Sequence, residues 1–369
     1  MPSRRTSDHY IPTLDGWRAI AIALVMAVHA SDSLRRWLRD YDIDFYLPPG
    51  LGTLGVQIFF ALSGFLITTK MLDAESGRNG FSLRDFYLRR VFRILPASLT
   101  FLAIVGALAL AGMLPVTLGR WLATVFLLAN YAPATGTWFV GHFWSLAVEE
   151  HFYLLWPLAF VMLRSNGRRL ATVCVAALAV AIWRAVAFKF ELTYASPSAF
   201  WARTDIVADG ILLGVAIALV YRSARYRERL QAVMALPATP YVLVLAVVGL
   251  EWAPVFDWKL VLALLSVKFA LLPLMILSTV CQPRSIFSRL LEWRALRWVG
   301  LISYSLYLYQ QLFLVEDMAA PSSLGAVQGA PWNIVFAVIA GYLSYRLIET
   351  PMVKLGHRVL GRRTRAAQH

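Results

Sequence analysis

The sequence has few charged residues and few cysteines. Only 15% of its 369 residues are Asp, Glu, Lys or Arg, against about 25% in soluble domains, and 59% are hydrophobic. The two cysteines, Cys174 and Cys281, lie in or beside apolar runs without metal-ligand spacing, so neither a disulfide framework nor a metal site is expected. The low charge excludes an ordinary soluble protein. It indicates a polytopic membrane protein whose apolar runs of about 20 residues cross the bilayer as helices.

Several catalytic signatures are also missing. The sequence contains no HExxH pair, no P-loop and no GxSxG elbow, which disfavours ATP hydrolysis and a serine hydrolase. No surface pattern of basic and aromatic residues indicates nucleic acid. The net charge of +14 is therefore attributed to membrane topology. We expect no bound metal, no bound cofactor and no nucleic-acid partner.

Ten apolar segments alternate with charged breaks. Their approximate bounds are 17–33, 51–69, 94–114, 143–163, 170–188, 205–220, 236–253, 259–280, 299–317 and 332–349. An even number places both termini on one side, where the segments hold 25 Lys and Arg residues against 6 in the opposite loops. Since cytoplasmic loops are enriched in cations, both termini are expected in the cytoplasm. The predicted fold is all-α: a polytopic membrane helical bundle of about ten transmembrane helices, forming a single domain over 1–369 with no additional soluble domain.

Three further segments are predicted separately from the ten spans. Residues 121–130 are apolar but too short to cross a bilayer, so 115–142 is predicted as a re-entrant or interfacial segment on the outer side. Loop 34–50 is predicted to be external, with a short interfacial helix. At the N-terminus, where Arg4 and Arg5 precede the first apolar run, a cleavable signal peptide is the alternative to a first span.

The first apolar run, LDGWRAIAIALVMAVH (14–29), begins with an acid and a base and ends on an imidazole. In a helix, the eleven residues from Arg18 to His29 return the chain to within about 20° of the same face and separate the two by about 16 Å. A charged group at the bilayer centre costs about 2.5–3.5 kcal/mol or more unless it is paired or lines a cavity. Arg18 and His29 are therefore functional candidates, with Asp15 beside them.

Arginines precede the third span in the motif DFYLRRVFRILPA, residues 85–97. Arg90 and Arg93 are three residues apart and share a helix face, while Pro96 marks a boundary or a kink. Because guanidinium groups bind phosphate bidentately, this face suits a polyanion at the cytoplasmic surface. The alternative is a positive anchor that contacts lipid phosphates.

The fourth span begins HFWSLAVEEHFYLLWP, residues 142–157. Ser145 and Glu149 are four residues apart on one helix face, and Glu149, Glu150 and His151 are consecutive inside an apolar segment. Such a run predicts an acid–base site or a hydroxyl-binding site that faces a cavity. The alternative is internal pairing with Arg184 or other buried cations.

Three other polar patterns leave two interpretations each. Ser63-Gly64 in the second span lets another backbone approach, as a functional feature or as a helix-packing notch. Asp205 and Asp209 open the sixth span and either line the same cavity or face solvent. The stripe ISYSLYLYQQLF (302–313), which includes Gln310, either binds a sugar or forms ordinary bonds between helices.

Taken together, these motifs resemble the integral-membrane acyltransferase 3 family. The resemblance covers nearly the whole chain and rests on LDGWRAIAIALVMAVH, GVQIFFALSGFLIT, FYLRRVFRILPA, FWSLAVEEHFYLLWP, ISYSLYLYQQ and IETP, in that order. Members mostly transfer acetyl or other acyl groups from acyl-CoA to hydroxyls of extracytoplasmic polysaccharides, lipopolysaccharide, peptidoglycan or small glycosylated molecules. The resemblance implies an acyl-CoA-dependent O-acyltransferase with acetyl-CoA as the expected co-substrate. It also implies a carbohydrate or glycosylated acceptor and a bacterial inner-membrane location.

The resemblance also assigns roles residue by residue. The expected roles are catalytic for His29, Glu149 and Glu150; acyl-CoA binding for Arg18, Arg90 and Arg93; and substrate positioning for Asp15, Ser145 and Gln310. The acidic pair is expected to face His29 across one cavity. The chain departs from the family at His151, where Gln is expected, and at Tyr309-Gln310, where many members have Trp-His. These departures leave the acceptor open.

Three functions of different class stay open. The first is the O-acyltransferase, in which His29 is the general base or a transient acyl carrier. The second is a transporter or flippase for a glycan or glycolipid, in which the same buried charges line a path; paired broken helices would support it, and the two halves have no repeat symmetry. The third is an acyl-sensing scaffold without turnover. Consumption of acyl-CoA in detergent, without a gradient, distinguishes the enzyme from the transporter.

Overall fold

A computed structural model describes residues 10–48, 50–77, 80–132, 138–192, 197–252, 258–315 and 324–366. These residues form helices with short connections and contain no strand, which confirms the all-α prediction. Arg4 and Arg5 lie outside the described residues. The helices of the first half are α1 (Pro12–His29), α2 (Ser31–Arg39), α3 (Gly50–Glu75), α4 (Leu83–Leu110), α5 (Leu118–Val125), α6 (Trp138–Gly141), α7 (Phe143–Met162), α8 (Asn166–Lys189) and α9 (Pro197–Ala202).

The second half of the chain is also built of helices joined by short connections. Its helices are α10 (Thr204–Val207), α11 (Asp209–Arg222), α12 (Arg227–Met234), α13 (Thr239–Glu251), α14 (Trp258–Cys281), α15 (Ile286–Leu291), α16 (Arg294–Phe313), α17 (Trp332–Ser344) and α18 (Thr350–Ala366). A short 3₁₀ turn covers Gly325–Gln328, and a π-helical turn, Tyr345–Glu349, joins α17 to α18.

Five stretches among the described residues are long and apolar enough to cross a membrane: Gly50–Glu75, Leu83–Leu110, Asn166–Lys189, Lys259–Cys281 and Trp332–Gly361. Two bent pairs, α1 with α2 (56°) and α12 with α13 (79°), raise the number to at most seven. Every predicted span overlaps a helix. However, α7 and α16 are not among the candidate membrane spans, although each is 20 residues long. Their polar side chains lower the mean hydropathy of these two helices. The number of ten membrane crossings and the cytoplasmic location of both termini therefore stay predictions.

Helix α3 lies at the centre of the bundle, where it packs against α1 and α11, while α1 packs against α16. The contact between α3 and α11 depends on two glycines. A Cβ atom at Gly64 would lie 2.1 Å from the carbonyl oxygen of Ile211, and one at Gly214 would lie 2.5 Å from that of Ala61. No side chain fits in either position, so Gly64 is a helix-packing notch.

Several predicted boundaries were wrong. The first span was predicted to reach residue 33, but α1 ends at His29 and α2 leaves at 56°. Helix α4 begins at Leu83, so the arginines lie on a long helix that continues through Pro96 instead of starting there. In 115–142, α5 and α6 are too short to span, as predicted, and residues 133–137 of that stretch lie outside the described part of the chain.

Candidate active site

The polar side chains of the bundle gather around two adjoining cavities. The first, here called the arginine cavity, has a volume of about 320 Å³ and is lined by residues that include Arg18, Arg89, Arg90, Arg93, Ser145, Glu149 and Glu150. The second, here called the histidine cavity, has a volume of about 720 Å³ and is lined by residues that include His29, His142, Trp138, Trp144, Glu251 and Lys268. Val56, Phe60 and Tyr307 line both cavities. The site is thus divided between two compartments.

The arginine cavity brings together the three arginines predicted to bind acyl-CoA. Arg18 comes from α1, and Arg90 and Arg93 come from one face of α4. The Arg90 guanidinium stacks over the Tyr153 ring with its central carbon 4.6 Å from the ring centroid. None of the three guanidinium groups donates a hydrogen bond to any residue that the structure describes, so their N–H groups are available to a bound anion.

The predicted acidic residues line this same cavity. Glu149 accepts hydrogen bonds from Ser63 Oγ at 2.7 Å and from the Tyr153 hydroxyl at 3.2 Å. Glu150 interacts electrostatically with Arg90. Ser145, one turn before Glu149, lies 2.6 Å from the Tyr307 hydroxyl through its own Oγ. The two acidic side chains therefore lie beside Arg90, and Glu149 holds Ser63 and Tyr153 in place.

In the histidine cavity, His29 is held by a buried amide. Its Nδ1 lies 2.8 Å from Oε1 of Gln310, a residue with no exposed surface. Because an amide oxygen only accepts, Nδ1 carries the proton and Nε2 keeps its lone pair. The Trp138 ring packs edge-on against the imidazole with centroids 5.3 Å apart. His29 is thus oriented as a base whose free nitrogen is Nε2.

His142 is a residue that sequence reasoning missed. Only 3% of it is exposed, and neither ring nitrogen has a hydrogen-bond partner among the described residues. Its backbone is held firmly: the N–H donates to Gln311 Oε1 at 3.0 Å, and the carbonyl accepts from Ser145 and Tyr307 at 3.1 and 3.2 Å. Its position three residues before Ser145, on the same helical face, was the available signal.

The structure corrects two predicted substrate-positioning residues. Asp15 lines neither cavity; it accepts a hydrogen bond from the Tyr10 hydroxyl, which in turn accepts one from Arg297 at 3.0 Å. Burial and the Asp15 hydrogen bond raise the pKa of Tyr10. Gln310 is fully buried and contacts His29, so it positions the imidazole and not the substrate.

The expectation that Glu149 and Glu150 face His29 across one cavity was also wrong. The acidic pair lines the arginine cavity, whereas His29 lines the histidine cavity. Tyr307 lines both cavities, and its hydroxyl lies 2.6 Å from Ser145 Oγ. The direct partner of His29 is Gln310, 281 residues away in the chain.

The remaining polar patterns are structural. Arg184 and Asp209 form an ion pair at 2.8 Å with 0% and 2% of their side chains exposed, so Arg184 does not pair with the acidic run. Asp209 is therefore buried and lines neither of the two cavities. Asp205 binds Arg203 at 3.1 Å, and His151 binds Thr204 at 2.8 Å, both outside the two cavities. Within the described ranges, no three His, Cys, Asp or Glu side chains are grouped to hold a metal ion.

Comparison with known proteins places these features in a family. The family model of the acyltransferase domain matches residues 11–345. The chain is 32% identical over 394 residues to a putative peptidoglycan O-acetyltransferase, YrhL, of Bacillus subtilis, covering 97% of this chain and 57% of that protein. It is 29% identical over 384 residues to the peptidoglycan O-acetyltransferase OatA of Listeria monocytogenes, covering 95% and 57%. The chain thus spans less than two thirds of these curated relatives. No solved structure matches it significantly.

Proposed function

Because the chain belongs to the acyltransferase 3 family, we propose that it is a membrane O-acyltransferase that moves an acetyl group from acetyl-CoA to a carbohydrate hydroxyl. Two relatives are named for O-acetylation of peptidoglycan, which makes a peptidoglycan-type glycan the first acceptor to test. The observation that carries the proposal is the Gln310-oriented imidazole of His29, placed in a cavity that adjoins three arginines whose guanidinium groups donate no hydrogen bond to the described residues.

The arginine cavity is suited to the donor. CoA carries several phosphate groups, and Arg18, Arg90 and Arg93 offer guanidinium groups without acceptors among the described residues. Stacking of Arg90 on Tyr153 leaves the N–H edge of its guanidinium free for bidentate binding to phosphate. In the predicted orientation this cavity faces the cytoplasm, where acyl-CoA is made, and the protein lies in the bacterial inner membrane.

The histidine cavity is suited to the acceptor. Its walls include Trp138, Trp144 and Trp201, whose large flat rings offer apolar surface to a sugar ring, together with the ion pair between Lys268 and Glu251. Large apolar walls with a few convergent polar groups are typical of small-molecule sites. With the predicted orientation, this cavity is nearer the outer side of the membrane.

His29 acts as the general base in this mechanism. Nε2 takes the proton of the acceptor hydroxyl while the hydroxyl oxygen attacks the thioester carbonyl. A C–O bond forms, the C–S bond breaks, and the CoA thiolate leaves and receives the proton from Nε2. Gln310 keeps Nδ1 protonated throughout, so the ring returns to its starting tautomer. A base positioned in this way contributes about 10²–10⁴ in rate.

The test uses purified protein in detergent with acetyl-CoA and soluble peptidoglycan glycan fragments, measuring CoA release and the added acetyl mass. Turnover without a membrane gradient separates the enzyme from a transporter. His29→Ala is expected to lose at least about 100-fold in kcat. His151→Ala removes an imidazole that lies outside both cavities and is the matched control. Full activity of His29→Ala refutes the assigned base.

A further inference from the structure

Three further basic side chains line the arginine cavity. They come from three different helices, α3, α4 and α18, and are Lys70, Arg89 and His357. All three are exposed, whereas the arginines already assigned to the donor are half-buried. The basic side chains of this cavity thus form an outer set, Lys70, Arg89 and His357, and an inner set, Arg18, Arg90 and Arg93.

Helix α3 runs past both cavities and gives the depth of their side chains. Gly52 lines the histidine cavity and packs against Val28, the residue before His29; a Cβ atom on Gly52 would lie 3.3 Å from Val28 Cβ. Ser63 lies eleven residues further along α3 and lines the arginine cavity. At 1.5 Å per residue, the level of Ser63 is therefore about 16 Å from the level of His29.

Arg90 of the inner set lies at the level of Ser63. Ser63 Oγ accepts a hydrogen bond from the Tyr153 hydroxyl at 3.1 Å, and the Arg90 guanidinium stacks on the Tyr153 ring. Lys70 follows Ser63 by seven residues on α3, which places it about 10 Å further from His29 along the helix axis. Lys70 of the outer set is thus further from the proposed reacting centre than the inner set.

Helix α18 brings its basic side chain to the same part of the cavity. A Cβ atom on Gly356 would lie 2.9 Å from Phe92 Cβ, so α18 and α4 meet closely at this point. His357 follows Gly356, and Arg89 precedes Phe92 by three residues, about one helical turn. Three helices therefore converge with exposed basic side chains at the outer end of the arginine cavity.

CoA carries phosphate groups at two distances from its thioester. The pyrophosphate follows the pantetheine arm, and the 3′-phosphate of the ribose lies beyond it, at the nucleoside end of the molecule. In the proposed reaction the thioester points towards His29, so the 3′-phosphate lies further from His29 than the pyrophosphate does. The order of the phosphates along CoA is thus the order of the inner and outer sets along the cavity.

We propose that Lys70, Arg89 and His357 bind the 3′-phosphate of CoA and thereby distinguish CoA from a donor that lacks this group. This inference rests on the proposed function. A phosphate monoester carries about 1.5 to 2 negative charges at pH 7, and basic side chains from three helices offer it several charge-assisted hydrogen bonds. Ala74 and Phe81 line the same cavity and offer apolar surface to the adjoining adenine.

Equilibrium binding tests the subsite without a known acceptor. CoA and 3′-dephospho-CoA differ only in the 3′-phosphate, and calorimetry measures the Kd of each with the full chain in a maltoside detergent at fixed ionic strength. This detergent contains no phosphate, so lipid head groups do not compete for the same side chains. The measured quantity is the Kd of 3′-dephospho-CoA divided by the Kd of CoA.

In the wild type this ratio is expected to be at least about ten. Lys70→Gln combined with Arg89→Gln is expected to weaken CoA binding at least about tenfold and 3′-dephospho-CoA binding less than about threefold. His357→Asn is expected to lower the ratio as well.

The matched control combines Arg84→Gln with Arg358→Gln. It removes two exposed arginines of α4 and α18 that do not line the arginine cavity, so the ratio should stay at the wild-type value. Arg90→Ala changes the inner set and is expected to weaken the binding of both nucleotides by the same factor, which also leaves the ratio unchanged.

Equal Kd values of the two nucleotides in the wild type overturn the subsite and leave the proposed function standing. Equal weakening of both nucleotides in the Lys70 and Arg89 double variant also overturns it, because these side chains then bind the pyrophosphate or lipid phosphates instead. If neither nucleotide binds the wild type and acetyl-CoA is not consumed, the donor assigned in the proposed function fails as well.

Discussion

His29 Nδ1 lies 2.8 Å from Oε1 of Gln310, and this contact decides which imidazole nitrogen carries the proton. The next residue, Gln311, accepts a hydrogen bond from the backbone N–H of His142 at 3.0 Å. Two consecutive side chains of α16 thus anchor the end of α1 and the start of α7. The position of α16 therefore fixes the imidazole of His29 and the backbone of His142.

Gln310→Leu is expected to lower kcat about 10- to 100-fold, because the imidazole loses the acceptor that fixes its tautomer. The KM for acetyl-CoA should not change, since Gln310 lies outside the arginine cavity. Gln310→His restores an acceptor nitrogen and is expected to keep most of the activity. Many members of the family are expected to have histidine at this position. Steady-state kinetics of the two variants checks this. A Leu variant with wild-type kcat contradicts the role assigned to Gln310.

Arg90→Ala is expected to raise the KM for acetyl-CoA about 10- to 100-fold, because a charge-assisted hydrogen bond is worth about 1.5–3 kcal/mol. Arg84→Ala is the matched control: it removes an exposed arginine from the same helix that does not line the arginine cavity. Both KM values are measured in detergent at fixed ionic strength. An unchanged KM in Arg90→Ala indicates that this arginine anchors lipid phosphates instead.

Prediction from sequence succeeded where a single helix determines the answer. Arg90 and Arg93 are three residues apart, and the structure places both on one wall of the arginine cavity. The positions of the helices followed from apolar runs, since burial in a membrane requires them. His29 was singled out because an imidazole at the end of an apolar run is costly unless it is paired or lines a cavity, and its catalytic role stays a prediction.

Prediction failed where distant helices meet. Helical periodicity states which residues share a face but not which helices face each other, so it did not reveal that Gln310 holds His29 or that Asp209 pairs with Arg184. The division of the site by Tyr307 depends on the packing of α16 against α1 and on its bonds to α7. His142 was overlooked although it precedes Ser145 by three residues, a spacing that places the two on one helix face.

Gly64→Ala is expected to destabilise the protein by about 1–3 kcal/mol or more, because its Cβ would lie 2.1 Å from the Ile211 carbonyl oxygen and force α3 and α11 apart. Gly167→Ala is the control. It also lies in a helix, but nothing is within 4 Å of its Cβ, so it is expected to be neutral or slightly stabilising. Thermal unfolding in detergent measures both. Equal midpoints for Gly64→Ala and the wild type contradict the close approach of the two helices.

Arg184→Leu is expected to destabilise the protein by about 3–5 kcal/mol, because it leaves the Asp209 carboxylate buried without its partner. Asp209→Leu alone should cost a similar amount, since Arg184 then keeps its bonds to the Ile206 carbonyl and to Ser266 but loses the carboxylate that pairs with its charge. The double variant removes both charges and is expected to recover much of the loss, because a buried ion pair is often no more stabilising than apolar residues of similar volume.

A double-mutant cycle by thermal unfolding measures the coupling between Arg184 and Asp209. Neither residue lines a cavity, so the folded fraction of each variant should keep the wild-type KM for acetyl-CoA. Additive losses in the double variant contradict the pairing. A KM for acetyl-CoA that rises in Arg184→Leu but not in Asp209→Leu would instead indicate that Arg184 interacts with Glu149 or Glu150 of α7. Loss of the Arg184–Asp209 pair alone affects both single variants alike.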